Sequence, residues 1–240
     1  MALPIVNSSR YEVTIPSMDV KVEFRPFLVK EEKILMVAME SKDDNMILKA
    51  VKEILSACIF DDIDIDALTS FDMELLFIKL RSKSVGETVD LKFKCKGDDC
   101  ENEIQHLVNL EDIKIDNIDD KRIIMINDEV GVQFDYPSMS TISKSSLKDD
   151  ASQDEQLKVM MDLMANCIAN IFDTDNVYPS SESTHSELVE FLDGLNSEQF
   201  KRIADWFGLM PTVSHNVEYK CNKCGKEHDL ELRGLQSFFT

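Results

Sequence analysis

Residues 216–240 read NVEYKCNKCGKEHDLELRGLQSFFT. Val217 and Tyr219 alternate with polar neighbours on one side of a turn, and Leu230 and Leu232 do so on the other, which is the pattern of a β-hairpin. The turn carries Cys221, Cys224 and Gly225. A redox Cys-x-x-Cys sits where a strand runs into a helix. Here the pair lies between two strands, the arrangement of a metal knuckle, in which a tight turn aims both thiols and nearby backbone N–H groups at one ion. Two thiols make half of a tetrahedral site, and a structural zinc takes four ligands. The stretch therefore asks for a second half elsewhere.

Residues 87–113, ETVDLKFKCKGDDCENEIQHLVNLEDI, contain it. Their strands alternate in the same way, and Cys95 and Cys100 flank the turn, with a longer gap than the commoner two residues. The expectation is one structural zinc per chain held by Cys95, Cys100, Cys221 and Cys224 in a zinc-ribbon-like site, with the intervening helices as a large insertion between the knuckles. His106 and His228 are alternative fourth ligands; the competing reading makes them ordinary strand or turn histidines. Cys58 and Cys167 fall on apolar helix faces and read as buried, inert thiols.

Between and before the Cys hairpins the pattern is mixed. Tyr11, Val13 and Ile15, then Val20, Val22 and Phe24, form a hairpin that stops at Arg25-Pro26 because Pro26 cannot donate to a ladder. Helices follow over EEKILMVAMES, over MILKAVKEILSACIF, and over FDMELLFIKLRSKS with Thr69 or Ser70 as its cap and Gly86 at its end. RIIMINDEVGVQFDYP is a second hairpin stopping at Pro137, and the Ser-rich SMSTISKSSLKDDAS reads as a mobile loop. Ser152 and Glu155 form a capping box for a helix over EQLKVMMDLMANCIANIF, DTDNVYPSSES is a loop, and Thr184 and Glu187 cap a short helix ending near Gly194. SEQFKRIADWFG is a last helix, closed by Gly208 and Pro211.

Laid out this way, the order repeats. VKVEFRPF answers VGVQFDYP, ILSACIF with Cys58 answers LMANCIA with Cys167, LTSFDMELLFIKL answers LNSEQFKRIADWF, and VDLKFKC answers HNVEYKC. The offset is about 110 residues early in the chain and about 127 late, so the difference falls on an insertion near 176–194 of the second half. The fold class expected is α+β, with two similar halves, 1–115 and 116–240, each running hairpin, helices, Cys hairpin. Chance recurrence of a common β-helix-β order is the competing account.

Composition limits the chemistry. The net charge of −20 repels phosphate backbones. Thirteen Phe and twelve Met fill a core or serve adaptable interfaces. No apolar run approaches the roughly 20 residues of a membrane span, and MALPIVNSSRYEV lacks the regions of a secretory signal. Six Cys without an export signal point to thiols or metal ligands, not disulfides. HExxH, GxSxG, P-loop and GxGxxG motifs are absent, only four His are present, and DDIDID lacks the Gly and closing Glu of an EF-hand loop. No enzyme is expected, and no small-molecule substrate, nucleic acid or membrane.

RPFLVKEEKILMVAMES, LRSKSVGETVDLKFKC and YKCNKCGKEHDLELRGLQSFF, in that order, resemble the baseplate hub assembly proteins of T-even-type contractile-tailed phages. The likeness runs from about Val13 to the end and is strongest at Arg25-Pro26, Glu31-Glu32-Lys33, Arg81-Ser82 and the Cys pairs. The resemblance implies a non-enzymatic structural or assembly role among other hub and tail proteins. It implies synthesis in the host cytoplasm, with a place in the virion baseplate as a further option. Leu235, Phe238 and Phe239 directly follow the last Cys hairpin and are the candidate partner surface; the alternative is that they tuck into the protein's own core. The rival from another class is a zinc-ribbon regulator of nucleic acid or polymerase, for which the basic face is missing.

Overall fold

The computed structural model describes residues 8–97, 100–119, 121–144 and 152–238. The chain is mixed α+β. In order, it forms β1 (Tyr11–Ile15), β2 (Val20–Phe24), α1 (Val29–Ser41), α2 (Asp44–Cys58), α3 (Ser70–Ser84), β3 (Thr88–Lys94), β4 (Glu103–Asn109) and β5 (Lys114–Asp116). There follow β6 (Ile123–Met125), β7 (Gly131–Phe134), α4 (Met139–Lys144), α5 (Gln153–Cys167), β8 (Ile168–Phe172), β9 (Val177–Pro179), α6 (His185–Asp193), α7 (Ser197–Gly208), β10 (Thr212–Lys220) and β11 (Glu227–Arg233).

The described residues divide into two compact units, one up to Asp116 and again from Thr212, the other Asn117–Pro211. The division thus differs from a cut at 115/116, because the second Cys hairpin joins the first unit. The physical reason lies in β10, which pairs with β11 on one edge and with β5 on the other, Val213 opposite Ile115. Its apolar side, Val213 and Val217, shares a core with Ile78 of α3, Val89 and Leu91 of β3, Val108 of β4 and Leu232 of β11. In the other unit, an antiparallel sheet of order β6-β7-β8-β9 packs Val132, Phe134 and Ile168 against Met164 of α5, Leu188 and Leu192 of α6 and Ile203 of α7.

Local chemistry explains the element ends. Glu31, only 2% exposed, accepts the Leu28 N–H at 2.8 Å across the first turn of α1 and pairs with Arg25 at 2.9 Å. Thr69 and Asp72 form a reciprocal cap on α3, and the buried Asp72 carboxylate also accepts the Ser17 N–H at 2.9 Å, which fixes the β1–β2 turn to that helix. The Ser152, Thr184 and Asn196 caps open α5, α6 and α7.

Three readings of the sequence change. The helix over 155–172 ends at Cys167, and Ile168–Phe172 is β8, because its apolar run completes the ladder of β7, with Phe134 opposite Ile168. The stretch read as a loop from Ser138 contains α4, with Met139 buried at 3%; residues 145–151 of it lie outside the described residues. Val177–Pro179 is β9, held as an edge strand by β8.

The two units repeat one local arrangement. After β2, the Arg25 N–H donates to the Cys58 carbonyl at 3.0 Å, and Phe24 bridges Ile59. After β7, the Asp135 N–H donates to the Cys167 carbonyl at 2.7 Å, and Phe134 pairs with Ile168. The later helices diverge. Leu75 and Ile78 pack α3 into the core beneath the Cys hairpins. The matching positions on α7 are Arg202, paired with Glu198, and Asp205, paired with Lys201. Helix α3 is therefore apolar on two faces and α7 on one, as an interior and a surface helix require.

A four-cysteine candidate metal centre

Two hairpin turns build the site. The β3–β4 ladder runs from Thr88 opposite Asn109 to Lys94 opposite Glu103, and Cys95 extends it by donating its N–H to Asn102 O at 2.9 Å. The Cys100 N–H turns back to Gly97 O at 3.1 Å. In the other hairpin, Lys220 lies opposite Glu227, the Cys221 N–H donates to Lys226 O at 2.8 Å, and the Gly225 N–H donates to Cys221 O at 2.9 Å. Gly225 has φ +73°, the left-handed conformation that tightens this turn.

The four thiol sulfurs lie within 4.8 Å of one another. Cys95 Sγ is 3.6 Å from Cys224 Sγ, and Cys100 Sγ is 3.8 Å from Cys221 Sγ. A disulfide needs sulfurs about 2.05 Å apart, so these are free thiols in contact. A regular tetrahedron with metal–sulfur bonds of about 2.3 Å sets its sulfurs about 3.8 Å apart. The donor set and its spacing fit one tetrahedral metal ion. Gly97 fits the same reading, because a Cβ there would lie 3.2 Å from Cys224 Sγ and 3.3 Å from Cys95 Sγ.

The surroundings suit thiolates. The Gly97 N–H points at Cys95 Sγ at 3.3 Å, and the Asn102 side-chain amide donates to Cys221 Sγ at 3.6 Å. The backbone N–H groups of Cys224 and Lys223 hold the Cys221 thiol down to about 6, whereas burial pushes Cys95 up. Cys95, Cys100 and Cys221 are buried and Cys224 is exposed. An ion held by all four thiols would have each tetrahedral position filled by sulfur, which is the ligation of structural sites.

The other sequence candidates separate clearly. His228 Nε2 touches Cys95 Sγ at 3.2 Å from outside the sulfur cluster, its ring stacked on Tyr219, which in turn stacks on Phe93. His106 sits mid-strand opposite Leu91. Cys58 and Cys167 are buried, and burial raises their thiols to about 11 and about 12, so they stay protonated. Among the described residues, no helix is long and apolar enough to cross a membrane.

The described part of the candidate partner surface lies against the chain's own core. Phe238 is fully buried in the first unit's core, and Leu235 packs against that core; Phe239 lies outside the described residues. Gly234, at φ +71°, turns the chain back, and its N–H donates to Val213 O at 2.9 Å. Glu74 of α3 receives the N–H groups of Val213 and Leu235, and burial raises its carboxyl above the ordinary range. Glu74 and Asn102 were not singled out from sequence. Their types are common at surfaces, and only the long-range packing gives them these partners.

A sequence profile for the family described as T4 bacteriophage base plate protein matches residues 8–240. The chain is also 27% identical over 219 residues to the baseplate hub assembly protein gp26 of Enterobacteria phage T4, covering 91% of this chain and 92% of that protein. No solved structure matches the chain. With a family match over nearly its whole length, and with both Cys hairpins inside that match, the chain belongs to the T4 bacteriophage base plate protein family.

Proposed function

We propose that this protein is a non-enzymatic assembly component of the phage baseplate hub, made in the host cytoplasm and binding other baseplate proteins. The observation that carries this reading is the similarity, over 91% of the chain, to a protein named for hub assembly. The test is infection with phage in which this gene is disabled, complemented by a plasmid copy. Accumulation of tailless heads without complementation, and co-purification of the tagged protein with hub components, are the expected results. Normal tails in its absence would refute the assembly role.

The four-cysteine centre holds one structural zinc in this reading. Tetrahedral sulfur ligation suits zinc or iron, and zinc needs no redox partner. The ion ties together two hairpins more than a hundred residues apart in sequence, which sets the end of α3 and the C-terminal segment in one frame. Structural sites of this kind contribute on the order of 10 kcal/mol of apparent folding free energy. Metal analysis should return one zinc per chain and a colourless protein. Near-zero zinc, a red iron-loaded protein, or full retention in Cys95→Ser/Cys221→Ser refutes the assignment.

The chain further reads as a duplicated module whose two Cys hairpins meet at that centre. The paired backbone bonds at Cys58 and Cys167 support this, since they recur at the same step of the same element order. An experimental structure in which the hairpins 11–25 and 122–136 lead into differently connected helices would remove the duplication.

A further inference from the structure

We propose that the outer groove between α1 and α2 is a docking site for an acidic amphipathic helix of a partner protein. The groove encloses about 470 Å³ and is lined by Ile34, Val37 and Ala38 of α1 and by Met46 and Ala50 of α2. Val37 is 62% exposed, Met36 beside it 58% and Met46 45%. A soluble protein leaves few such side chains together on one face unless something covers them. Methionine at such a surface repacks easily around a partner.

Charge chooses the occupant. Lys33 and Lys49 stand at the groove, one on each helix. The ion pairs of this helix pair engage Lys30 with Glu31 and Lys52 with Asp66, and neither groove lysine has an ion-pair partner among the described residues. Glu53 also lines the groove, so two lysines stand there against one carboxylate; in a chain of net charge −20 this local positive excess favours carboxylates on the partner. A second copy of the chain is disfavoured by the same net charge.

The chain carries its own template for that occupant. The alignment that matches Cys58 with Cys167 matches Glu53, at the groove, with Asp162 of α5. Helix α6 packs on α5, with His185 Nε2 3.1 Å from Asp162 Oδ1. It buries Leu188 and Leu192 and carries Glu187, Glu190 and Asp193. The first unit has no counterpart, because α2 runs through a short 3-10 turn straight into α3. On the duplication reading above, the first module leaves open what the second covers with an acidic amphipathic helix. Helix-in-groove recognition then needs anchors spaced as Leu188 and Leu192 are.

The probe is a helix-stapled, fluorescein-labelled peptide of residues 184–195, THSELVEFLDGL, titrated with the full-length metal-loaded protein by fluorescence anisotropy. Saturable binding is expected, weakened at least tenfold by Val37→Asp and by Lys33→Glu/Lys49→Glu. A probe with Lys at positions 187, 190 and 193 should lose binding to the wild type and recover it on the double lysine variant. The substituted side chains are at the surface, and unchanged thermal melts verify folding. Absence of saturable binding, or equal affinity for all variants, overturns the proposal. So does a wild-type dimer in sedimentation velocity that Val37→Asp dissolves, since the occupant is then a second copy. The assay uses no phage particles, so its failure leaves the hub-assembly reading standing, and failed complementation with intact peptide binding does the reverse.

Discussion

Phe238→Ala separates a core anchor from a docking handle. The Phe238 ring has no exposed surface and packs among Ile78 of α3, Val213 and Val217 of β10 and Leu232 of β11. Burying an aromatic side chain removes roughly 150–250 Å² from water, worth about 4–6 kcal/mol at about 25 cal/mol per Å². Measured Phe→Ala truncations in cores cost about 3–5 kcal/mol, since the cavity relaxes only in part. Against a total stability of about 5–15 kcal/mol, that is a large fraction. At about 2–4 °C per kcal/mol for a domain of this size, the midpoint should fall by about 6–20 °C. The assay is thermal and urea unfolding of the metal-loaded protein by far-ultraviolet circular dichroism. Tryptophan emission is unsuitable, because the single tryptophan, Trp206, belongs to the other unit. A wild-type melt combined with failed hub assembly would refute the burial argument and restore the tail as a docking element.

Gly97→Ala should weaken metal binding about tenfold, as changes beside a ligand shell commonly do, because its Cβ presses on Cys95 and Cys224 sulfurs at 3.3 and 3.2 Å. Competition with a chromogenic chelator measures this; Gly208→Ala, which meets nothing within 4 Å, is the control, and equal affinities for both variants count against the packed centre. Glu111 is the pH probe: Lys79 at 2.6 Å, with Lys83 and Ser82, holds its carboxyl down to about 2 from an ordinary 4.5. A carboxylate with a depressed folded pKa stabilises above its unfolded value, so Glu111→Gln should cost about 1 kcal/mol at pH 7 after allowing for solvent screening. That gap should hold down to pH 4.5 and close as pH falls toward 2; a urea-midpoint difference that stays constant through acid would sink the assignment.

The sequence determined the elements whose signals are local. The Cys hairpins were legible because strand alternation and the turn residues Cys221, Cys224 and Gly225 act over a few residues. The caps at Thr69, Ser152 and Thr184 were legible because each satisfies its own helix's first N–H groups. The four-cysteine set could be matched by kind, since each hairpin presents half of a tetrahedron. Tertiary structure decided what depends on distant partners. Ile168–Phe172 reads as well in a helix as in a strand, and the open edge of β7 made it β8. Helix α3 shows no simple amphipathic stripe because it is buried on two faces, one of them against hairpins encoded far apart. Phe238 was ambiguous for the same reason: an apolar residue after a hairpin is a handle or an anchor according to whether an apolar wall stands opposite it. Ile78, Val213 and Leu232 form that wall, and their meeting is a property of the folded chain alone.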